Sequence, residues 1–160
     1  MIVLLVEDEI SKERSIINYL REIVKGIVIH ISRSVTSAII ELRHYDFDYV
    51  LLDMSLPLFD NADLSYSDSN EFDAFGGTAI LDEIDRRQLS SKVIVITAFD
   101  TLGEGADLIS LSQVTIDLKQ DYPDNFVGSI YYNASSLAWK YELSGFFTRG
   151  EMIKNEDTNS

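Results

Sequence analysis

Two short, uninterrupted apolar runs, each ended by acid, constrain this chain more than any other feature. Ile2-Val3-Leu4-Leu5-Val6 runs into Glu7-Asp8-Glu9, and Tyr49-Val50-Leu51-Leu52 runs into Asp53, with Pro57 four positions further on. Apolar runs of this length without polar alternation suit strands buried on both faces, the situation of a parallel sheet covered by helices on each side. In such sheets ligands bind outside the carboxyl ends of the strands. Acids from two strands would therefore converge on one small pocket of intense negative potential. A pocket of that kind requires a cation, and hard oxygen ligands suit Mg²⁺, which takes only one or two carboxylates beside phosphate oxygens and water.

The rest of the chain alternates strand and helix patterns. Ile10, Ile16, Ile17, Leu20, Ile23 and Val24 recur at helical spacing across Glu9 to Lys25; Ile27 to Ile31 reads as a strand, Val35 to Arg43 as a short helix, and Phe47 to Leu52 as the third strand. Gly77 to Arg87 carries Ile80, Leu81 and Ile84 on one helical face, and Lys92 to Thr97 is the clearest strand. A looser stripe from Ala106 to Leu118 predicts a helix, Phe126 to Tyr132 a fifth strand, and Ser136 to Phe147 a last helix. The alternation predicts right-handed crossovers and a doubly wound parallel sheet. Gly103-Glu104-Gly105 is too short and acidic to cradle phosphate and reads as a turn.

With 160 residues, 46% of them hydrophobic, the chain is expected to form one domain, spanning 1–147, with a polar tail at 148–160 that frays. There is no Cys, which excludes disulfides and thiol chemistry, and His30 and His44 alone offer little for zinc. The acidic turn after six residues makes the start a strand and not a signal peptide, no stretch approaches membrane-spanning length, and a cytoplasmic location is expected. The net charge of −14 argues against DNA or RNA, whose phosphates demand basic patches, and favours a basic protein surface as partner. No Lys or Arg lies between Arg43 and Arg86, so the field is strongest around Asp53.

Glu7-Asp8 after the first strand, Asp53 after the third with Pro57 behind it, and Thr97-Ala98 after the fourth together resemble the receiver domain of bacterial two-component response regulators. The resemblance covers Met1 to about Phe147. It implies a flavodoxin-like, five-stranded parallel sheet of order 2-1-3-4-5. It further implies Asp53 as phosphoacceptor from a phosphohistidine, and Mg²⁺ held by Asp8, by Glu7 through water, by Asp53 and by the Ser55 carbonyl. Thr97 would contact a phosphoryl oxygen and report phosphorylation. The implied partners are a histidine kinase or other signalling protein, and the implied role is that of a signalling module, not an enzyme. A phosphatase resembling the haloacid dehalogenase class would need a second Asp where this chain has Ser55.

Two departures matter. Family members carry a Lys at the end of the fifth strand; here that position falls on Tyr132 or Asn133, neither a cation. Lys119 reads as lying in a loop before that strand, and Lys140 as solvated on the last helix. Loss of the ammonium would slow phosphoryl transfer. A pseudo-receiver, acting as a phosphorylation-independent interaction module, is the competing expectation. The second departure is an insertion at about 58–75, which alternates acids with Phe59, Leu64, Tyr66, Phe72 and Phe75 and is expected to be an interaction arm, an active-site cover, an extra cation site or a mobile acidic loop. The aromatic set Phe126, Tyr131, Tyr132, Trp139, Tyr141, Phe146 and Phe147 reads mostly as core, its exposed fraction suiting a partner or homodimer face.

Overall fold

A computed structural model describes residues 1–60, 72, 73 and 75–147. Most of the acidic insertion and the whole 148–160 tail lie outside the described residues. Five strands form one parallel sheet: β1 (Ile2–Val6), β2 (Val28–Ser32), β3 (Tyr49–Leu52), β4 (Lys92–Thr97) and β5 (Phe126–Tyr131), in the order β2-β1-β3-β4-β5. Helices α1 (Ile10–Ile23), α2 (Val35–His44), α3 (Gly76–Arg86) and α4 (Leu111–Asp121) make the crossovers, and a final helix, α5, covers residues 138–147. The alternation predicts a parallel sheet covered on both faces, and the order is that of the doubly wound flavodoxin-like architecture that the resemblance implies.

Because side chains alternate along a strand, each central strand feeds two cores. Leu4, Val6, Val50, Leu52, Val93 and Val95 face α2, α3 and α4, where Ala38, Leu42, Ile80, Leu81, Ile84, Val114 and Leu118 meet them. Val3, Leu5, Leu51, Ile94, Ile96 and Ile130 face α1 and α5, against Ile16, Leu20, Trp139, Leu143 and Phe147. This parity decides the site: the next residues outward on the α1 face are Glu7, Asp53 and Tyr132.

Three local readings change. Helix α4 starts at Leu111, because residues 105–107 form a 3-10 turn and Thr101–Leu102 pairs antiparallel with Ile109–Ser110. Ser110 caps the helix by accepting from the Gln113 N–H at 3.2 Å, a start signal that overrides the loose apolar stripe before it. Lys119 accordingly sits in the last turn of α4, not in a loop. The insertion is closed at its base, since Leu56–Pro57 pairs antiparallel with Phe72–Asp73 and Leu56 is fully buried. Beyond that pair, the Leu58 carbonyl accepts from the Thr36 hydroxyl at 2.6 Å, and Asp60 accepts from the Ser37 hydroxyl at 3.0 Å, holding the start of the insertion to the first turn of α2.

Candidate functional site

The acids are placed by ladder bonds that continue one residue past the strands. The Glu7 N–H donates to the Ser32 carbonyl at 3.0 Å, and the Asp53 N–H to the Val6 carbonyl at 3.1 Å. Glu7, Asp8 and Asp53 thereby bring carboxylate oxygens within 4.8 Å of one another. They line a pocket of about 270 Å³ completed by Glu9, Ser55, Ala98 and Phe99. Ser55, which the resemblance offers as a carbonyl ligand, lines this pocket, and its N–H makes a long, 3.4 Å hydrogen bond to Asp53 Oδ1.

Into this cluster comes a residue that the sequence reading passes over. Lys12, in the first turn of α1, is 1% exposed, and its Nζ donates to Asp53 Oδ2 at 3.0 Å and to the Ile96 carbonyl at 2.8 Å. The same Nζ lies 2.5 Å from Glu7 Oε2, a close charge contact between two buried groups. The inference that the site lacks an ammonium is therefore corrected: one is present, delivered by α1 and not by β5. The signal was available, because Lys12 precedes Ile16 and Leu20 by one and two helical turns and so shares their inward face. Ile10, grouped by sequence with the apolar stripe, instead points out at 54% exposure.

Of the two positions expected for the lysine of receiver domains, Tyr132 is buried, and its ring centroid is 5.8 Å from Lys12 Nζ. Asn133 is exposed and turns the chain, accepting from the Ser135 N–H through Oδ1 at 3.0 Å. Lys140 lies half-buried over the rings of Tyr19 and Trp139, away from the acids. Thr97 ends β4, fully buried, and its Oγ1 accepts from the Phe99 N–H at 3.3 Å; it is adjacent to the pocket-lining Ala98.

Burial is the largest influence on the Glu7 carboxyl and lifts it from 4.5 to about 7, against the pull of Lys12 and with the help of the Asp53 charge. Burial also raises Asp8. For Lys12 burial disfavours the ammonium, but Asp53 and then Glu7 outweigh it and hold the group above the ordinary lysine value. When all three acids are ionised, three negative charges face one ammonium and two remain uncompensated. That imbalance and the all-oxygen donor set of three clustered carboxylates fit one hard divalent cation.

No family model matches the chain. Among curated proteins it is 26% identical over 137 residues to an uncharacterized protein of Sinorhizobium fredii, covering 86% of this chain and 90% of that one. It is also 26% identical over 144 residues to the Detocs response regulatory protein DtcB of Enterobacter cloacae, covering 89% and 95%. Solved structures with the same fold include the phosphorylated cyanobacterial phytochrome response regulator RcpA, at a TM-score of 0.60 and 18% identity over 91% of this chain and 89% of that one. Another is the receiver domain of the sensor histidine kinase PA1611 from Pseudomonas aeruginosa with magnesium in its active-site cleft, at a TM-score of 0.54 and 16% identity over 92% and 94%. The chain has the receiver-domain fold.

Proposed function

We propose that this chain is a single-domain signalling protein that accepts a phosphoryl group on Asp53 with the help of Mg²⁺ and acts in the cytoplasm through protein contacts, not as an enzyme. The observation that carries this reading is the placement of Asp53. It directly follows the central strand β3, is 5% exposed, opens into the acid pocket and keeps one carboxylate oxygen on a buried ammonium. The likeness to a phosphorylated response regulator and to a magnesium-bound receiver domain supports it.

An ionised carboxylate needs no general base to attack. An Asp53 oxygen forms the bond to phosphorus as the phosphorus–nitrogen bond of a phosphohistidine breaks, and the electron pair leaves on the imidazole, which takes a proton from solvent. The pocket's contribution is orientation and charge neutralisation. Glu7, Asp8, Asp53 and the Ser55 carbonyl would hold Mg²⁺, which supplies compensation for phosphoryl oxygens. Thr97 would donate its hydroxyl proton to a phosphoryl oxygen, since in its present contact with Phe99 the oxygen only accepts. The partner is a histidine kinase or another signalling protein.

The test is intact-mass analysis after incubation with a small phosphodonor, with and without Mg²⁺. A labile adduct in wild type, dependent on Mg²⁺ and absent from Asp53→Asn, is expected. No adduct at saturating Mg²⁺ would replace this reading with a phosphorylation-independent interaction module.

A further inference from the structure

Lys12 occupies an unusual place for a lysine. It is buried among acids at the carboxyl edge of the sheet, yet it belongs to α1, and its ammonium has another neighbour besides them. The Tyr132 ring, 5.8 Å from Nζ, packs at 5.1 Å between centroids on Trp139 of α5, and Trp139 meets Tyr19 of α1 edge-on at 5.6 Å. Lys140 closes this cluster from outside, over both Tyr19 and Trp139. The cluster lines a second cavity of about 310 Å³ between α1 and α5, to which Ser15, Asn18, Tyr19, Tyr132, Trp139 and Lys140 contribute. A contiguous series of contacts thus runs from the Asp53 carboxylate, through Lys12 and Tyr132, to a surface made by α1 and α5.

We propose that Lys12 contacts the phosphoryl group on Asp53 from α1, replacing the lysine missing from the end of β5, and that its displacement is passed through Tyr132 to Trp139, so that the α1–α5 surface reports the state of Asp53. This rests on the reading of Asp53 as phosphoacceptor. The ammonium's two directed bonds and one charge contact go to Asp53, Ile96 and Glu7. New anionic oxygens on Asp53 compete for it, and any shift of Nζ changes the charge over the Tyr132 face, an interaction that weakens with distance. Lys12 keeps its proton throughout. With acetyl phosphate as donor, the Asp53 oxygen–phosphorus bond forms while the acyl oxygen–phosphorus bond breaks, and acetate leaves with the electron pair.

The experiment follows acetyl phosphate labelling with Mg²⁺ by intact mass and, in parallel, the emission of Trp139, the chain's single tryptophan. Wild type should be labelled, with an emission change on the same time course. Lys12→Met should label on the order of 10²-fold more slowly, the usual effect of deleting one oriented donor from a charge-stabilising site. Lys12→Arg, which keeps the charge on a longer planar group, should label at least tenfold more slowly. Lys12→Met combined with Tyr132→Lys returns an ammonium to the end of β5. It should recover labelling without the Trp139 change, a combination that a merely structural lysine would not produce. If Lys12→Met fails to fold, the arginine and double variants decide. Labelling of wild type with either single variant unaffected overturns this inference alone, as does labelling without any Trp139 response. Absence of labelling in wild type overturns the phosphoacceptor reading and this inference with it.

Discussion

Lys12 is an ammonium almost wholly out of water, and desolvating such an ion costs several kcal/mol unless its partners are well placed. Removing it leaves Glu7 and Asp53 buried against each other, so Lys12→Met is expected to lower the unfolding free energy by about 3 to 5 kcal/mol at pH 7 in urea titrations. Adding Asp53→Asn should recover part of the loss, and failure to recover any would mean that the lysine stem, not its charge, matters. Glu7 gives a pH dependence with a definite sign. Its folded carboxyl, raised from 4.5 to about 7, holds a proton that the unfolded chain has already released. Its contribution to stability is therefore full below about pH 4.5 and is lost as the pH rises to about 7, by no more than about 3 kcal/mol. Comparing wild type with Glu7→Gln across that window in metal-free buffer isolates the slope, which should be shallower in the variant. Saturating Mg²⁺ should flatten it in wild type by favouring the carboxylate. At this scale the acids were legible from where the apolar runs stop. Lys12 was not, because a lysine next to Glu13 and Arg14 at the start of a helix reads as solvated until the inward spacing to Ile16 and Leu20 is given priority.

Among elements, α3 is set against the Asp53 loop by close backbone approach. A Cβ on Gly77 would lie 2.8 Å from Met54 Sδ, 3.0 Å from the Asp53 carbonyl and 3.1 Å from Met54 Cα, so Gly77→Ala must shift the Met54 side chain and press the helix against the loop that carries Asp53. A cost of about 1 to 3 kcal/mol is expected, as for overpacking elsewhere, together with weaker Mg²⁺ binding followed by amide shifts at Glu7 and Asp53. Unchanged binding would show that the loop tolerates the shift. The insertion behaves oppositely. Its base is structural, with Leu56 in the core and Phe75 packed against it, so a replacement that spares 56–60 and 72–75 should change stability by less than about 1 kcal/mol, since closure entropy varies by only about 0.6 kcal/mol per doubling of loop length. The thermal midpoint checks this; a drop of more than about 4 °C would place the excised residues in the core. The sequence located the insertion but not its paired base, because two-residue ribbons leave no periodicity. For the same reason it extended α4 over Ala106 to Ser110, where a cap and a short antiparallel pair take precedence.

For the whole molecule, a net charge of −14 on 160 residues means self-repulsion that the fold must overcome. Raising monovalent salt from about 0.01 to about 0.15 M shortens the screening length from roughly 30 to roughly 8 Å and should raise the thermal midpoint, whereas a fall would show that attractive pairs such as Glu13 with Arg33 dominate. The strand order came as what the resemblance to receiver domains implies, while the sequence pattern by itself determined the alternation of strand and helix, the two covering layers and the edge at which the acids meet. Those properties follow from short-range pattern: runs of buried strand, helical spacing, and the handedness of crossovers. Only the tertiary structure decided what faces those acids. Which side chain reaches Asp53 depends on strand parity, on the angle at which α1 lies across the sheet and on how far a lysine stem extends. Those relations join residues 41 and 84 positions apart, Lys12 with Asp53 and with Ile96, and no local pattern records them.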